Sequence, residues 1–398
     1  MYATCKMLTP TAVLPNLPAL RVLNVCYTDL GDATIASMPA GLTELHMTCC
    51  SNVTRRASLD HLTALRILQS VGTDLSPTAV AACRARGCFA PADGRLEPEG
   101  DWVVNCMAPM PDGRLVIGAN NNRVMVWEIT AGRGAIVAER EILSGSYVAV
   151  LAVLHDSHRV AIGLGNVPDT MSRGIGVWDT RDAPNDNRVV TSTTIPFYSG
   201  VSALAVAHNG WLVAGCQNGM LRVVDANTGV VIAELNASGG FVRAVAVLMD
   251  GRVASATDDS KVRLWEVGTT RLTCVSTLEG HTCALRTLAV LSNGRLASGS
   301  SDGTVRLWDT DSGACVRVLT GRMNSLAALP GNRLAGVAFN GTIRLWDTRD
   351  DASGAQPPLV ITSWSDVWLA TLLPLPGNRL VSGDKGLRLW QLPPPHGT

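Results

Sequence analysis

One sequence pattern recurs seven times between residue 101 and the C-terminus, and it constrains the fold more than any other feature. The clearest copy runs from Gly294 to Asp309, a turn followed by short apolar runs and a closing Trp-Asp pair. The other copies close at Trp127-Glu128, Trp178-Asp179, Val224-Asp225, Trp265-Glu266, Trp346-Asp347 and Trp390-Gln391, at spacings of 51, 46, 41, 43, 38 and 44 residues. A period near 40 with strand-like alternation is typical of a four-stranded propeller blade. The sequence therefore predicts a mainly β, seven-bladed propeller.

Turn residues inside the copies support this prediction. Four copies place an Asp-Gly or Asn-Gly pair between their first and second strands: Asp112-Gly113, Asn209-Gly210, Asp250-Gly251 and Asn293-Gly294. The last two copies reverse the order, as Gly331-Asn332 and Gly377-Asn378. Both orders favour tight hairpins that need positive φ.

The first 88 residues follow a shorter period. Leu20-x-x-Leu23-x-Val25 recurs as Leu42-x-x-Leu45-x-Met47 and Leu65-x-x-Leu68-x-Ser70, at steps of 22 and 23 residues. Eight residues after its first leucine each copy holds a small side chain (Thr28, Cys50, Thr73), and a helix-like segment follows. This pattern resembles the leucine-rich repeat, which pairs a short strand with a return helix. We expect a small α/β leucine-rich-repeat segment over residues 1–88, with about three repeats and a partial one.

The two ends of the propeller pattern complement each other. Residues 89–96 are predicted to form a strand, and the seventh copy ends at Trp390-Gln391-Leu392 without a fourth strand of its own. Pairing of the two would close the ring and remove exposed sheet edges. We therefore predict a propeller over residues 89–393, closed by its N-terminal strand, and a short tail over residues 394–398. Residues 1–18 match only the back half of a repeat. We favour the explanation that the chain is a piece of a longer protein over the alternative that something else covers this N-terminal edge.

The seven copies resemble the WD-repeat (WD40) family, over about three quarters of the chain. In that family a His, a Ser or Thr, an Asp and the Trp of one blade form a buried hydrogen-bond chain. The resemblance assigns this structural role to His281, Ser298, Asp302 and Trp308 of the fifth copy, which alone holds the whole set. Since a half-satisfied buried network is costly, we expect blade five to be the most rigid and blades two and three the least.

Composition excludes several classes of function. Lys+Arg and Asp+Glu are both 33, so no excess of positive charge favours nucleic-acid binding. The eleven cysteines follow no pairing pattern, and no apolar run approaches the length of about 18 residues that a membrane span needs. We expect a reducing compartment, the cytoplasm with the nucleus as an alternative, and no membrane partner.

No motif of catalysis, metal binding or cofactor binding is present. The chain lacks a nucleophile elbow, a phosphate loop and a His-Glu-x-x-His helix, and its histidines are dispersed. The neighbouring cysteines Cys49-Cys50 and Cys83/Cys88 have no second pair at zinc-site spacing. We expect no catalytic residues, no metal and no cofactor.

Aromatic residues concentrate where one blade hands over to the next, which in this fold surrounds the mouth of the central channel on the top face. Exposed rings around a concave rim are typical binding hot spots; the alternative is that they fill space between blades. The predicted rim contacts are Asp101, Trp102, Tyr147, Tyr198, Phe241, Arg322 and Trp364. They predict a non-enzymatic scaffold, monomeric within a larger complex, that binds a protein or peptide, with a basic segment as the expected ligand.

A second hypothesis rests on two short strings. Trp178-Asp179-Thr180-Arg181 and Trp346-Asp347-Thr348-Arg349 resemble the Trp-Asp-x-Arg element of WD-repeat substrate receptors in cullin-4 ubiquitin ligases. The resemblance implies that Arg181 or Arg349 contacts the ligase adaptor. Where the family pattern has an acid six residues before the Trp, this chain holds Ser172 and Asn340.

Overall fold

The fold is that of a computed structural model, which forms two compact units, residues 1–94 with 389–394 and residues 95–388 with 395–398. The structure describes residues 2–4, 20, 22–25, 29–47, 50, 52–65, 67–69, 74–85, 94–96, 102–130, 133–142, 147–156, 158–165, 174–181, 195–196, 199–237, 239–338, 341–349, 358–362, 371–383 and 387–392.

The first unit contains a parallel sheet of short strands in the order β1-β2-β3-β4. Its register pairs Leu23 with Leu45 and Leu45 with Leu68, so the leucines of successive copies stack at the steps seen in the sequence. These leucines are buried, and the Cys50 thiol donates to the carbonyl of Val25 one copy earlier. The elements are β1 (Tyr2–Thr4), β2 (Val22–Asn24), α1 (Asp32–Ala36), β3 (Glu44–His46), β4 (Ile67–Gln69) and α2 (Pro77–Ala85), followed by β5 (Gly94–Leu96).

Seven four-stranded sheets, one for each sequence copy, make up the propeller. Blades one to three are β6 (Val104–Pro109), β7 (Leu115–Ala119), β8 (Arg123–Thr130), β9 (Arg133–Glu141); β10 (Val148–Val153), β11 (Arg159–Leu164), β12 (Gly174–Asp179), β13 (Ile195–Pro196); and β14 (Val201–Val206), β15 (Leu212–Cys216), β16 (Met220–Val224), β17 (Val231–Asn236). Blades four to six are β18 (Val242–Val247), β19 (Val253–Thr257), β20 (Val262–Val267), β21 (Leu272–Leu278); β22 (Leu285–Val290), β23 (Leu296–Ser300), β24 (Thr304–Trp308), β25 (Cys315–Thr320); and β26 (Met323–Leu329), β27 (Arg333–Ala338), β28 (Thr342–Asp347), β29 (Leu359–Thr362). Blade seven contributes β30 (Thr371–Leu375), β31 (Arg379–Gly383) and β32 (Leu387–Gln391).

The first strands of the blades form a closed circle. Each contacts the first strand of the next blade, in the order β6, β10, β14, β18, β22, β26 and β30, and β30 in turn contacts β6. The mainly β, seven-bladed propeller predicted from the sequence is confirmed. In the seventh sheet the strand order is β30-β31-β32-β5, and residues 89–93 of the predicted N-terminal strand lie outside the described residues.

The apolar core lies between neighbouring blades. Between blades four and five, Ala256 and Leu264 of one sheet pack in the same buried cluster as Leu285, Leu296 and Trp308 of the next. A blade alone would expose these faces to water, so each sheet is stabilised by its neighbours.

Polar bridges link neighbouring blades at the end of the ring that carries the first-to-second-strand turns. Arg252 donates to Asp311 Oδ1 at 2.8 Å and to the carbonyl of Thr310 at 3.0 Å, which joins blade four to blade five. An equivalent bond joins blades six and seven, from Arg333 to Asn378 Oδ1 at 2.9 Å.

The predicted turn chemistry is confirmed. Gly113, Gly210, Gly251 and Gly294 adopt φ between 83° and 90°. In the two reversed turns both residues have positive φ, with 76° and 53° at Gly331-Asn332 and 75° and 57° at Gly377-Asn378. The order of glycine and its Asn or Asp neighbour therefore indicates which positions of the turn adopt positive φ.

Replacement of Gly113 by alanine isolates this backbone requirement, since a Cβ there meets no atom within 4 Å. With φ at +89°, the Gly113→Ala variant should be less stable by roughly 1–2 kcal/mol, the cost of a left-handed residue. Urea denaturation measures the change. The control is Pro111→Ala in the same turn, expected within about 0.5 kcal/mol of wild type; equal stability of the Gly113 variant and wild type would contradict the account.

Candidate functional site

One end of the ring presents two residues from each of blades one to six at equivalent places. In each of these blades the register between the first and second strands shifts after the first residue of the first strand, so the second residue of that strand is an extra one. We call the extra residue the bulge position and the residue just before the strand the rim position, and together they define the described part of the top face. The rim positions are Val103, Tyr147, Gly200, Phe241, Ala284 and Arg322, and the bulge positions are Asn105, Ala149, Ser202, Arg243, Arg286 and Asn324.

Two bulge side chains fasten their blade to the next one. Asn105 Nδ2 donates to the carbonyl of Val148 at 3.1 Å, and Ser202 Oγ donates to the carbonyl of Val242 at 2.6 Å. In both cases the acceptor is the first residue of the neighbouring first strand. Small polar side chains at this place therefore serve the ring itself.

Blade four holds an arginine at the bulge position instead. Arg243 lies over the Phe241 ring, with Cζ 3.8 Å from the ring centroid. Its Nε and Nη2 donate to the two carboxylate oxygens of Asp258 at 2.8 and 3.1 Å. The ring and the carboxylate hold the guanidinium in a half-buried position. An arginine fixed in this way loses less side-chain entropy on binding a partner than a freely rotating one does.

Blades five and six continue the positive charge. Arg286 occupies the bulge position of blade five and donates from Nε to Ser301 Oγ at 2.9 Å. Arg322, at the rim position of blade six, is exposed. We call Arg243, Arg286 and Arg322 the arginine arc, because they come from three successive blades.

The predicted rim residues have different outcomes. Tyr147 is 37 % exposed and its ring lies directly against Gly165, where a Cβ would fall 2.1 Å from Cζ. Phe241 is half-buried beneath Arg243, and Arg322 is exposed. Asp101, Tyr198 and Trp364 lie outside the described residues.

Trp102 does not offer an exposed ring, and its role as a partner contact stays a prediction. Its side chain is only 8 % exposed and packs edge-on against the closing Trp127, with ring centroids 6.0 Å apart. The ring fills space beside the blade-one tryptophan, which is the alternative that the sequence left open.

Arg243 and Arg286 are the site residues that the sequence analysis missed. A signal was present: both arginines follow the first residue of the first strand, in Phe241-Val242-Arg243 and Ala284-Leu285-Arg286. Repeat-by-repeat alignment at this position would have separated them from the Asn105, Ala149 and Ser202 of earlier blades.

Blade five assembles the four residues of the expected network. Trp308 Nε1 donates to Ser298 Oγ at 2.8 Å, Ser298 Oγ lies 2.8 Å from His281 Nε2, and His281 Nδ1 lies 2.7 Å from Asp302 Oδ2. Indole N–H can only donate and an ionised carboxylate can only accept. The hydroxyl therefore donates to Nε2 and Nδ1 carries the imidazole proton.

The electrostatics of blade five agree with this direction. Burial lowers the pKa of His281 below its ordinary value, so the ring stays neutral, although Asp302 acts in the opposite sense. Burial alone would raise the pKa of Asp302, but hydrogen bonds from Thr304 and His281 outweigh it and set the value at about 2. The network thus holds one negative charge that is already fully hydrogen-bonded.

Other blades replace parts of the network. In blade four Trp265 Nε1 still donates to Ser255 Oγ at 2.8 Å. Gly239 lies against Thr257 and Asp259. Arg263 forms an ion pair with Asp259 at 2.6 Å. In blade six Gly336 takes the serine place. The Met323 side chain lies over that glycine, beside Trp346.

Blades one and two leave their closing tryptophans without an acceptor. The strand pairing puts Ile117 and Ile162 where Ser298 stands in blade five. Within the described residues, Trp127 Nε1 and Trp178 Nε1 are buried and have no hydrogen-bond partner. An orphaned buried donor costs roughly 1–3 kcal/mol, so these blades depend more on apolar packing.

The two arginines of the Trp-Asp-x-Arg strings have one geometry. Arg181 pairs with Asp179 at 2.7 Å and Arg349 with Asp347 at 2.6 Å, each to the aspartate two residues earlier. Their side chains are 68 % and 37 % exposed. The Arg181 guanidinium is the main reason that the pKa of Asp179 lies at about 2.

The described part of the chain contains neither a metal-binding cluster nor a membrane-spanning helix. It holds no group of three or more His, Cys, Asp and Glu side chains able to hold a metal ion. Neither described helix is long and apolar enough to cross a bilayer.

Three segments of the chain match a WD40 family model. The family model described as "WD domain, G-beta repeat" matches residues 95–128, 229–266 and 272–309. The crystal structure of the WD40 β-propeller domain of Doa1 aligns with a TM-score of 0.61 at 18 % identity, over 75 % of this chain and 96 % of that chain. At that identity the likeness establishes the fold.

Among curated proteins the chain is similar to nuclear distribution protein PAC1 of two fungi. It is 28 % identical to the Arthroderma otae protein and 27 % identical to the Arthroderma benhamiae protein, each over 199 residues. That alignment covers 48 % of this chain and 41 % of either relative, so the chain spans less than half the length of the relatives it matches.

Removal of the Ser298 hydroxyl tests the blade-five network. Ser298→Ala orphans Trp308 Nε1 and His281 Nε2, and should destabilise the protein by roughly 1–3 kcal/mol for each group. Ser255→Ala in blade four is the matched control, because it orphans Trp265 Nε1 alone. Thermal and urea denaturation should rank Ser298→Ala as the more damaging change; equal or reversed losses would refute the network.

Acid titration tests the charge of Asp302. Its pKa lies at about 2 in the fold against an ordinary value of 3.8, so the stability it contributes is present above pH 3.8 and is lost as the pH falls toward 2. Asp302→Asn should be less stable at pH 7 and should lose less free energy of unfolding than wild type between pH 5 and 3. Parallel pH profiles for the two proteins would contradict this assignment.

Proposed function

We propose that this chain is a non-enzymatic scaffold whose propeller binds a protein or peptide segment on its top face. The observation that carries the proposal is that aromatic rings and guanidinium groups lie at the rim and bulge positions of neighbouring blades. Aromatic residues and arginines are the side chains that most often dominate the energy of interfaces. The structure resembles the Doa1 propeller in fold, and the relatives are named for nuclear distribution; both are consistent with an interaction role in the cytoplasm or nucleus.

We further propose that residues 1–88 form a leucine-rich-repeat segment and that β5 acts as the closing strand of blade seven. The first proposal is supported by the parallel register at steps of 22 and 23 residues, with Leu23, Leu45 and Leu68 in line. The second is supported by the place of β5 next to β32 in the sheet order. A propeller closed in this way presents a rigid top face, which serves as one of the binding surfaces of a larger assembly.

A second candidate function is that of a substrate receptor for a cullin-type ubiquitin ligase. The observation in its favour is that Arg181 and Arg349 have one geometry, each oriented by the aspartate two residues earlier and partly exposed. Charge reversal at Arg349 should then abolish recruitment of the ligase, while purification that never recovers a cullin from cells would exclude this candidate.

Loss of the Tyr147 and Phe241 rings tests the top-face proposal. A Tyr147→Ala/Phe241→Ala double variant should recover the partner at less than about a tenth of the wild-type level, since each ring in a hot spot is often worth about 2 kcal/mol. The measurement is quantitative mass spectrometry of affinity-purified complexes, followed by titration with the purified partner.

The control variant for this experiment is Met249→Ala. Met249 is 65 % exposed and precedes the Asp250-Gly251 turn, so its loss removes exposed apolar surface at the opposite end of blade four. Undiminished partner binding by a folded double variant, or equal loss in the control, would remove the top face from consideration.

A further inference from the structure

We propose that Ser58 is a phosphorylation site for a protein kinase that selects arginine two and three residues before the serine. Ser58 lies in the first compact unit, in the segment between β3 and β4. Its modification is a function beyond the proposed binding role of the top face. The inference rests on the residues before Ser58, on their exposure and on the hydrogen bonds of the Ser58 hydroxyl.

The residues that such a kinase recognises are Arg55 and Arg56, the only adjacent arginines in the chain. Arginine-selective kinases surround the arginines of a substrate with acidic side chains, because a guanidinium binds a carboxylate through two parallel hydrogen bonds. They also accept an apolar residue directly after the serine, which here is Leu59. The run from Arg55 to Leu59 therefore has the charge pattern of such a substrate.

The turn that carries the two arginines is exposed. The amide of Ala57 donates to the carbonyl of Thr54 at 3.1 Å, so Arg55 and Arg56 occupy the two central places of a turn. Both arginines and Ser58 are exposed, and the Arg55 side chain is 77 % exposed. A kinase can therefore reach the guanidinium groups and the hydroxyl from solvent.

The contacts of these side chains are of a kind that a kinase can displace. Arg55 Nε donates to Asp74 Oδ1 at 3.2 Å, but both side chains lie mostly in water, where an ion pair contributes little to stability. Ser58 Oγ donates to Asp60 Oδ2 at 2.9 Å and accepts from the Asp60 amide at 3.2 Å. The hydroxyl is thus oriented by a carboxylate at the surface rather than enclosed in the core.

The backbone around Ser58 must open before it can enter an active site. Ala57 and Leu59 are 5 % and 1 % exposed, whereas a kinase takes its substrate as an extended chain. Residues 53–65 form turns rather than a helix or a strand, and such segments open locally at a lower free energy than the core strands of a domain. Local opening therefore sets the rate of modification and does not require the chain to unfold.

The reaction is a phosphoryl transfer from ATP. Ser58 Oγ attacks the γ-phosphorus, the Oγ–P bond forms, and the bond from that phosphorus to the β–γ bridging oxygen breaks. ADP leaves with the electron pair of the broken bond, and the hydroxyl proton passes to the catalytic aspartate of the kinase. The product no longer donates a hydrogen bond to Asp60, and it places about two negative charges beside that carboxylate.

The chain contains a matched serine for comparison. Ser312, in the turn between β24 and β25, is also exposed, and its Oγ donates to Asp309 Oδ1 at 2.8 Å. Three residues before Ser312 stands Asp309, where Ser58 has Arg55. The two serines share exposure and a carboxylate partner, and they differ in the charge of the residues ahead of them.

The experiment incubates the full chain with Mg²⁺-ATP and the catalytic subunit of cyclic-AMP-dependent protein kinase, which selects arginine at these two places. Tandem mass spectrometry locates and quantifies the phosphate. We expect Ser58 to carry at least about ten times as much phosphate as Ser312, because the kinase disfavours acidic residues before the serine. Absence of phosphate from Ser58, or equal phosphate on the two serines, would overturn the inference.

Loss of either arginine tests how the serine is selected. Arg55→Ala and Arg56→Ala should each lower the initial rate of Ser58 phosphorylation at least about tenfold, since each removes a charge-assisted contact with the kinase. Asp74→Asn is the matched control, because it removes the ion pair of Arg55 but keeps the arginine, and it should be phosphorylated at least as fast as wild type. Unchanged rates in both arginine variants, or a loss in Asp74→Asn equal to that in Arg55→Ala, would contradict this selection and overturn the inference.

Discussion

Every blade of this propeller depends on its neighbours for the burial of its faces. A four-stranded sheet with apolar residues on both sides has no stable existence in water, and here the core clusters combine residues of adjacent blades. The circle of first strands from β6 to β30 and back gives each blade two neighbours. Because the ring is closed, the rim and bulge positions occupy fixed places, and the top face is set by topology rather than by its own interactions.

Buried polar groups are satisfied unevenly around this ring. Blade five directs hydrogen bonds from Trp308 through Ser298 and His281 to Asp302, whereas blades one and two bury the Nε1 of their closing tryptophans beside isoleucines. Because every blade shares its apolar core with the next one, the propeller tolerates apolar residues in place of the hydrogen-bond network in a single blade. The same argument explains how Met323 can replace a hydrogen-bonded network in blade six.

Much of the fold could be predicted from the sequence because it follows from local rules. The seven closing pairs, Trp-Asp in the clearest copies, predict the number of blades, and the Gly-Asn, Asn-Gly and Asp-Gly pairs predict turns whose φ values the structure bears out. The candidate site was less predictable. Burial of Trp102 depends on the neighbouring Trp127, which sequence spacing does not reveal, and Arg243 gains its orientation from Asp258, fifteen residues away in the turn after β19.

Because the top face is a prearranged surface, binding should protect that surface and leave the remainder of the ring unchanged. Hydrogen–deuterium exchange with and without the purified partner measures this directly, one backbone segment at a time. We predict slower exchange around residues 241–243, 284–286 and 321–324, with no change in the turns at residues 250–252 and 293–295. Protection of those turns, or of the outer strands β21 and β25, would contradict it.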